Sequence, residues 1–120
     1  MAVLEPPNSV VLLVGREDFT LPTGFGGQVT VATVDCIAVG VKAADDAPTT
    51  VTLVPGAGPS DLIRLGDFTI ETEGLLSLRD VYNREHEAIG LEPGPCAVTV
   101  WGNDLQQPDQ LVVEARSTDL

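Results

Sequence analysis

Basic residues are scarce in this chain of 120 residues: six Lys and Arg stand against eighteen Asp and Glu, a formal net charge of −12. Nucleic-acid binding rests on Lys and Arg displacing counterions from phosphate, so a nucleic-acid partner is not expected. Anionic membrane surfaces are disfavoured for the same reason. Aromatic residues make up 4% of the chain, so Val, Leu, Ile and Ala must build the core, with little stacking surface left for sugars or bases. Long apolar runs are missing too. Val10–Val14 (VVLLV) is far too short to span a bilayer, no basic segment precedes it, and Pro6–Pro7 interrupts the N-terminal stretch. The expectation is a cytoplasmic protein.

Catalytic and metal-binding motifs are equally thin. The single histidine, His86, sits in Arg84-Glu85-His86-Glu87, which has half of a zinc-protease motif and lacks the second His. A three-ligand zinc site would have to borrow carboxylates or a cysteine; a surface histidine among acids is the simpler reading. G-x-S-x-G is absent, and neither cysteine has a histidine near it in sequence. The loop Pro22–Gly27 (PTGFGG) lacks the Lys-Ser/Thr ending of a phosphate loop. These absences lead to a non-enzymatic reading with no cofactor and no metal. Cys36 and Cys96 read as small buried thiols, with a disulfide between them as the alternative.

What the chain does have is short runs of alternating β-formers between Gly and Pro. Gln28–Val34, Cys36–Lys42, Thr49–Val54, Asp67–Glu73, Leu75–Asp80, Cys96–Trp101 and Leu111–Ala115 carry the pattern. A period of two suits strands with one buried face, and the unbroken Val10–Val14 suits a strand covered on both faces. Phe19–Leu21 reads as a short edge strand, and Gly24, Gly26 and Gly27 around Phe25 as a turn with an aromatic plug. In Cys36–Lys42 one face carries Ile37, Val39 and Val41, and the other only Cys36, Ala38 and Gly40, which implies a close approach there. Ala43–Pro48 reads as a turn that returns Thr49–Val54 as a hairpin partner. Residues 1–8 read as a loose lead-in and 116–120 as a polar tail. Ser60 or Asp61 is placed to cap one short turn through Arg64, and 81–89 fits strand, turn or brief helix. The expected fold is one all-β domain, an antiparallel β-sandwich or jelly roll of about eight or nine short strands.

Carboxylates come in pairs: Glu17–Asp18, Asp45–Asp46, Glu71/Glu73 and Glu85/Glu87. The densest charge lies between Asp61 and Glu92, where acids mix with Arg64, Arg79 and Arg84. A basic protein partner would be steered to such a surface. The residues expected to meet it are Glu71, Glu73, Asp80, Glu85 and Glu87. Two other classes remain open. A small-ligand or carbohydrate-binding sandwich would use a concave face around Phe25 and Trp101. A metal-dependent enzyme would need His86 near Cys36, Cys96 or several acids. An exposed sheet edge would also allow a homodimer.

From Gly90 to Ala115 the chain carries Leu91-Glu92-Pro93-Gly94-Pro95, then Ala97-Val98-Thr99-Val100-Trp101, then Gly102-Asn103-Asp104, then Leu111-Val112-Val113. This succession of turn, alternating strand, Gly-x-Asp loop and closing strand resembles small bacterial β-sandwich proteins of the competence-protein-J and immunity-like type. The Gly26–Gly27 turn that opens a strand is similar as well. Pro95–Cys96 stands where that family usually has an aromatic. The resemblance implies inhibition of a nuclease by direct binding, with carboxylates occupying a groove built for phosphates.

Overall fold

The computed structural model describes residues 1–55 and 61–118. Its strands are β1 (Ala2–Leu4), β2 (Val10–Val14), β3 (Thr30–Ala32), β4 (Cys36–Gly40), β5 (Thr49–Val54), β6 (Ile63–Thr72), β7 (Leu75–Asp80), β8 (Glu85–Gly90), β9 (Gly94–Gly102) and β10 (Gln110–Ser117). They form two five-stranded sheets, ordered β1-β5-β10-β9-β6 and β3-β4-β2-β7-β8. The fold is the all-β sandwich that the alternation predicts. One ladder departs from the antiparallel rule: β5 and β10 run parallel from Thr50↔Gln110 to Val54↔Glu114. Among the described residues, no helix is long and apolar enough to cross a membrane.

Alternation explains the core. Val51 and Leu53, Cys96, Val98 and Val100, and Leu111, Val113 and Ala115 point inward from one sheet; Val11, Leu13, Ile37, Val39, Leu76 and Leu78 meet them from the other. Fully burying each such Val or Leu contributes about 1.5–3 kcal/mol. β2 is covered on both faces, as its unbroken apolar run predicts. Leu12 and Val14 turn outward and, with Cys36 and Ala38, form a second buried cluster.

That second cluster is covered by the chain itself. The connection from β2 to β3, residues 15–29, folds back as a strap and lays Phe19 and Phe25 on the small outer face of β2 and β4. Phe25 is thus the plug that its glycines suggested, with Gly26 and Gly27 at φ 58° and 84°, where L side chains are strained. The strap leaves β2 at Gly15, whose missing Cβ would lie 2.2 Å from the Glu71 carbonyl oxygen. Phe19–Leu21 is therefore part of the strap and not an edge strand.

Several local expectations yield to long-range pairing. Ala2–Leu4 is β1, antiparallel to β5 with Leu4 opposite Thr49, and Leu4 is buried. Thr49–Val54 does not form a hairpin with β4, because the Ala43–Pro48 turn carries the chain from one sheet to the other. Ile63 and Arg64 pair with Gly102 and Trp101 across a bulge near Gly66, so no capped turn ends at Arg64. β3 keeps only Thr30–Ala32 of the run from Gln28 to Val34. The ambiguous 81–89 is a turn that leads into β8 from Glu85, and β10 continues through Ser117 into the expected tail. Ser60, most of the loop around it and the last two residues of the tail lie outside the described residues. Both cysteines are free and buried, Cys36 under the strap and Cys96 in the main core.

The sheet edges bear on the homodimer expectation. β6 is tied to β3 and to the turn after it: Thr30 Oγ1 donates to the Leu65 carbonyl at 3.0 Å, and the Glu71 N–H donates to the Val34 carbonyl at 2.7 Å. β1 has three residues. β8 carries a bulge at His86, and Glu87, opposite the core residue Leu78, turns a carboxylate inward. Short edges, bulges and inward charges all discourage edge-to-edge pairing.

Candidate functional site

The polar end of the outer face of β2 and β7 holds a cleft of about 110 Å³ beside the strap. Val14, Gly15 and Leu75 supply its apolar surface; Ser77 and Arg79 project from β7; Arg16, Glu17, Glu73 and Glu85 form the rest. Strand register explains the grouping. Leu12 pairs with Arg79 and Val14 with Ser77, so two outward apolar residues sit beside two outward polar ones. Glu85 is opposite Arg79 on β8. Glu73 arrives from the turn after β6, its N–H donating to the Gly15 carbonyl at 2.9 Å. Glu17 comes from the start of the strap.

Each carboxylate is held by the chain. Glu17 Oε1 accepts from Arg79 Nη2 at 2.8 Å, Glu73 Oε1 accepts from the Glu17 N–H at 2.9 Å, and Glu85 Oε1 accepts from the Ser77 hydroxyl. Arg79 is nearly buried and also donates from Nε to Ser77 Oγ at 3.0 Å and from Nη1 to Asn83 Oδ1 at 2.8 Å. Its guanidinium also lies 5.9 Å from the Phe19 ring centre, which ties the cleft to the strap.

Of the five residues expected to meet a partner, Glu73 and Glu85 enter the cleft. Glu71 stays on β6 in the other sheet, outside the cleft lining. Glu87 faces the inner side of β8, with Oε1 2.9 Å from the amine of Met1 and Oε2 buried without a hydrogen-bond partner among the described residues.

Asp80 is a correction. Its side chain is 1% exposed, too enclosed to meet a partner. Oδ1 accepts from the N–H groups of Tyr82 and Arg84, and Oδ2 lies 2.8 Å from Arg84 Nε and 3.1 Å from His86 Nε2. Asp80 thus ties the β7–β8 turn, in which Asn83 has a left-handed φ of 64°. Burial pushes its pKa up, but the hydrogen bonds from His86, Arg84 and Tyr82 outweigh that and hold it below the ordinary carboxylate value.

Phe25 and Trp101 do not share a face. Phe25 covers the outer side of the β3-β4-β2-β7-β8 sheet. Trp101 is on the outward side of β9 in the other sheet, its Nε1–H donating to Glu114 Oε1 at 3.4 Å. The body of the sandwich separates them, so no concave aromatic site joins them. His86 is engaged with Asp80 and both cysteines are buried elsewhere. Among the described residues, no group of three or more His, Cys, Asp and Glu is arranged to hold a metal ion. Burial, then the Asp35 charge, pushes the Cys36 thiol up to about 12, with Arg79 acting weakly the other way.

Sequence reasoning missed Glu17, Arg79 and Ser77 as neighbours. Glu17 is visible in the sequence as half of a carboxylate pair, but it lies 56 residues from Glu73, and only the sandwich brings the two together. The fold and the cleft together define an acidic β-sandwich with a small, internally braced carboxylate site. No family model, no curated protein and no solved structure matches this chain.

Proposed function

We propose that this chain is a non-enzymatic interaction module that receives a basic side chain of a protein partner in the Glu17–Glu73–Glu85 cleft. The supporting observation is the convergence of three carboxylates from three separate parts of the chain, each already held by an internal hydrogen bond. Part of the ordering cost of binding is met when the protein folds, and the net charge of −12 draws a cationic partner toward the molecule. The volume suits the end of one Lys or Arg side chain. Ser77 braces the proposed site, its hydroxyl donating to Glu85 while its oxygen accepts from Arg79 Nε. The sharpest form of this reading is an inhibitor or immunity-like protein for a basic enzyme such as a nuclease, acting in the cytoplasm.

The test compares two variants with equal charge change. Glu17, Glu73 and Glu85 become Gln in one; Asp18, Asp45 and Asp46 become Asn in the other. Basic proteins captured from lysate at low salt are quantified for each. The expected outcome is loss of capture in the cleft variant and retention in the control. Equal loss in both would reduce the interaction to bulk charge and remove the cleft from it.

A further inference from the structure

The strap is fixed at two points. At one end Gly15 donates its N–H to the Asp35 carbonyl and accepts from the Glu73 N–H, both at 2.9 Å; at the other the Val29 carbonyl accepts from the Gly40 N–H at 2.9 Å. Between them, residues 16–28 contain no strand. Its ties to the sandwich are few. Phe19 and Phe25 rest on Leu12, Val14, Cys36 and Ala38. The Thr20 N–H donates to Asp35 Oδ1 at 2.8 Å, the Thr20 carbonyl accepts from the Thr33 hydroxyl, and Arg16 Nη1 stands 4.0 Å from Asp35 Oδ2. Glu17 is bound to Glu73 and Arg79. The cluster beneath the strap has no member in common with the inter-sheet core. Lifting the strap therefore breaks one small apolar contact and a few hydrogen bonds, and it leaves every ladder paired.

We propose that residues 16–28 form a lid that opens as a unit while the sandwich stays folded, baring the Leu12–Val14–Cys36–Ala38 strip and withdrawing Glu17 from the cleft. Segments with few buried contacts and no ladder bonds are the ones that open locally, below the free energy of global unfolding. The acidic cleft is complete only with the lid closed. A cation held jointly by Glu17 and either Glu73 or Glu85 favours the closed state through its differential affinity. The lid itself does not depend on the partner reading.

The two cysteines are matched reporters, one under the lid and one in the main core. The wild-type protein is alkylated with iodoacetamide at mildly alkaline pH across urea concentrations below the unfolding transition, and each cysteine peptide is quantified by mass spectrometry. Cys36 is expected to label at least about ten-fold faster than Cys96, with a shallow urea dependence, while Cys96 follows the steep dependence of global unfolding. Phe25→Ala is expected to accelerate Cys36 more than Cys96. Equal wild-type rates with the same steep urea slope would overturn the lid, because the strap would then open only when the whole sandwich does. The decision rests on the wild-type protein, so no variant has to fold for it to be made.

Discussion

The two apolar clusters of this molecule are built by different means. The inter-sheet core is made by strands facing strands, most of its residues placed by the period of two on strands that have a ladder on both sides. The outer cluster is made by strands facing a loop, and two phenylalanines do the covering. Both reach near-complete burial: Leu13 is 0% exposed in the first and Val14 1% in the second, on successive residues of one strand. Burial alone therefore does not separate them. What differs is how much of the fold must come apart before water reaches each, which is a property of connectivity and not of area.

Substitutions on the two sides of β2 test that difference most strongly. Leu13→Ala is expected to cost about 3–5 kcal/mol in urea unfolding, because the inter-sheet core has ladders on every side and cannot collapse onto the void. Val14→Ala is expected to cost less than half of that, since the strap can settle. Similar costs for the two, after allowing for side-chain size, would show a single cooperative cluster.

Asp80 comes next. Asp80→Ala leaves the Tyr82 and Arg84 N–H groups without their acceptor and is expected to cost about 2–3 kcal/mol. Lysine at this position would be worse, placing a cation against Arg84. Its pKa is lower folded than unfolded, so its contribution is present above the ordinary value of 3.8 and is lost as the pH falls through the lowered one. Unfolding midpoints measured from neutral pH down through about pH 4 and below should fall more steeply for wild type than for Asp80→Asn. Parallel curves would show that this carboxylate is not the acid-sensitive tie.

Phe25→Ala removes part of the lid and is expected to cost about 1–2 kcal/mol, below the usual figure for a fully buried phenylalanine. The smallest effect belongs to Glu17→Gln. Its side chain is 82% exposed, so its pair with Arg79 should change stability by less than about 0.5 kcal/mol, although the same change is expected to weaken capture of a basic partner. A large stability loss there would make Glu17 a structural tie and not a wall of the cleft.

Much of the fold was legible because its signal is local. Val10–Val14, Thr49–Val54 and Leu75–Asp80 appear as strands with the boundaries read from their composition, and the inward sets Leu76/Leu78 and Cys96/Val98/Val100 are those the alternation gives. Ala2–Leu4 escaped because a three-residue strand has no periodicity to detect; β5 makes it a strand by offering an open edge. The β4–β5 hairpin failed because a turn signal does not tell whether the chain returns beside itself or crosses to another sheet. The candidate site was half legible. Glu73 and Glu85 belonged to visible acidic pairs, whereas Asp80, in the same charged stretch, is enclosed by its own hairpin. A carboxylate's formal charge is written in the sequence; its solvent access is not.

The sequence by itself determined the class of fold, the apolar side of each long strand, the double covering of β2, the aromatic plug at Phe25 and the sign of the surface. All of these follow from side-chain chemistry read over a few neighbouring residues. The tertiary structure decided the pairing of β1 with β5, the parallel β5–β10 ladder, the burial of Asp80, the separation of Phe25 from Trp101, and the meeting of Glu17 with Glu73 and Glu85 across 56 and 68 positions. Those features depend on which distant strands become neighbours, and that choice is made by the burial of whole sheets against each other, a quantity no local window contains.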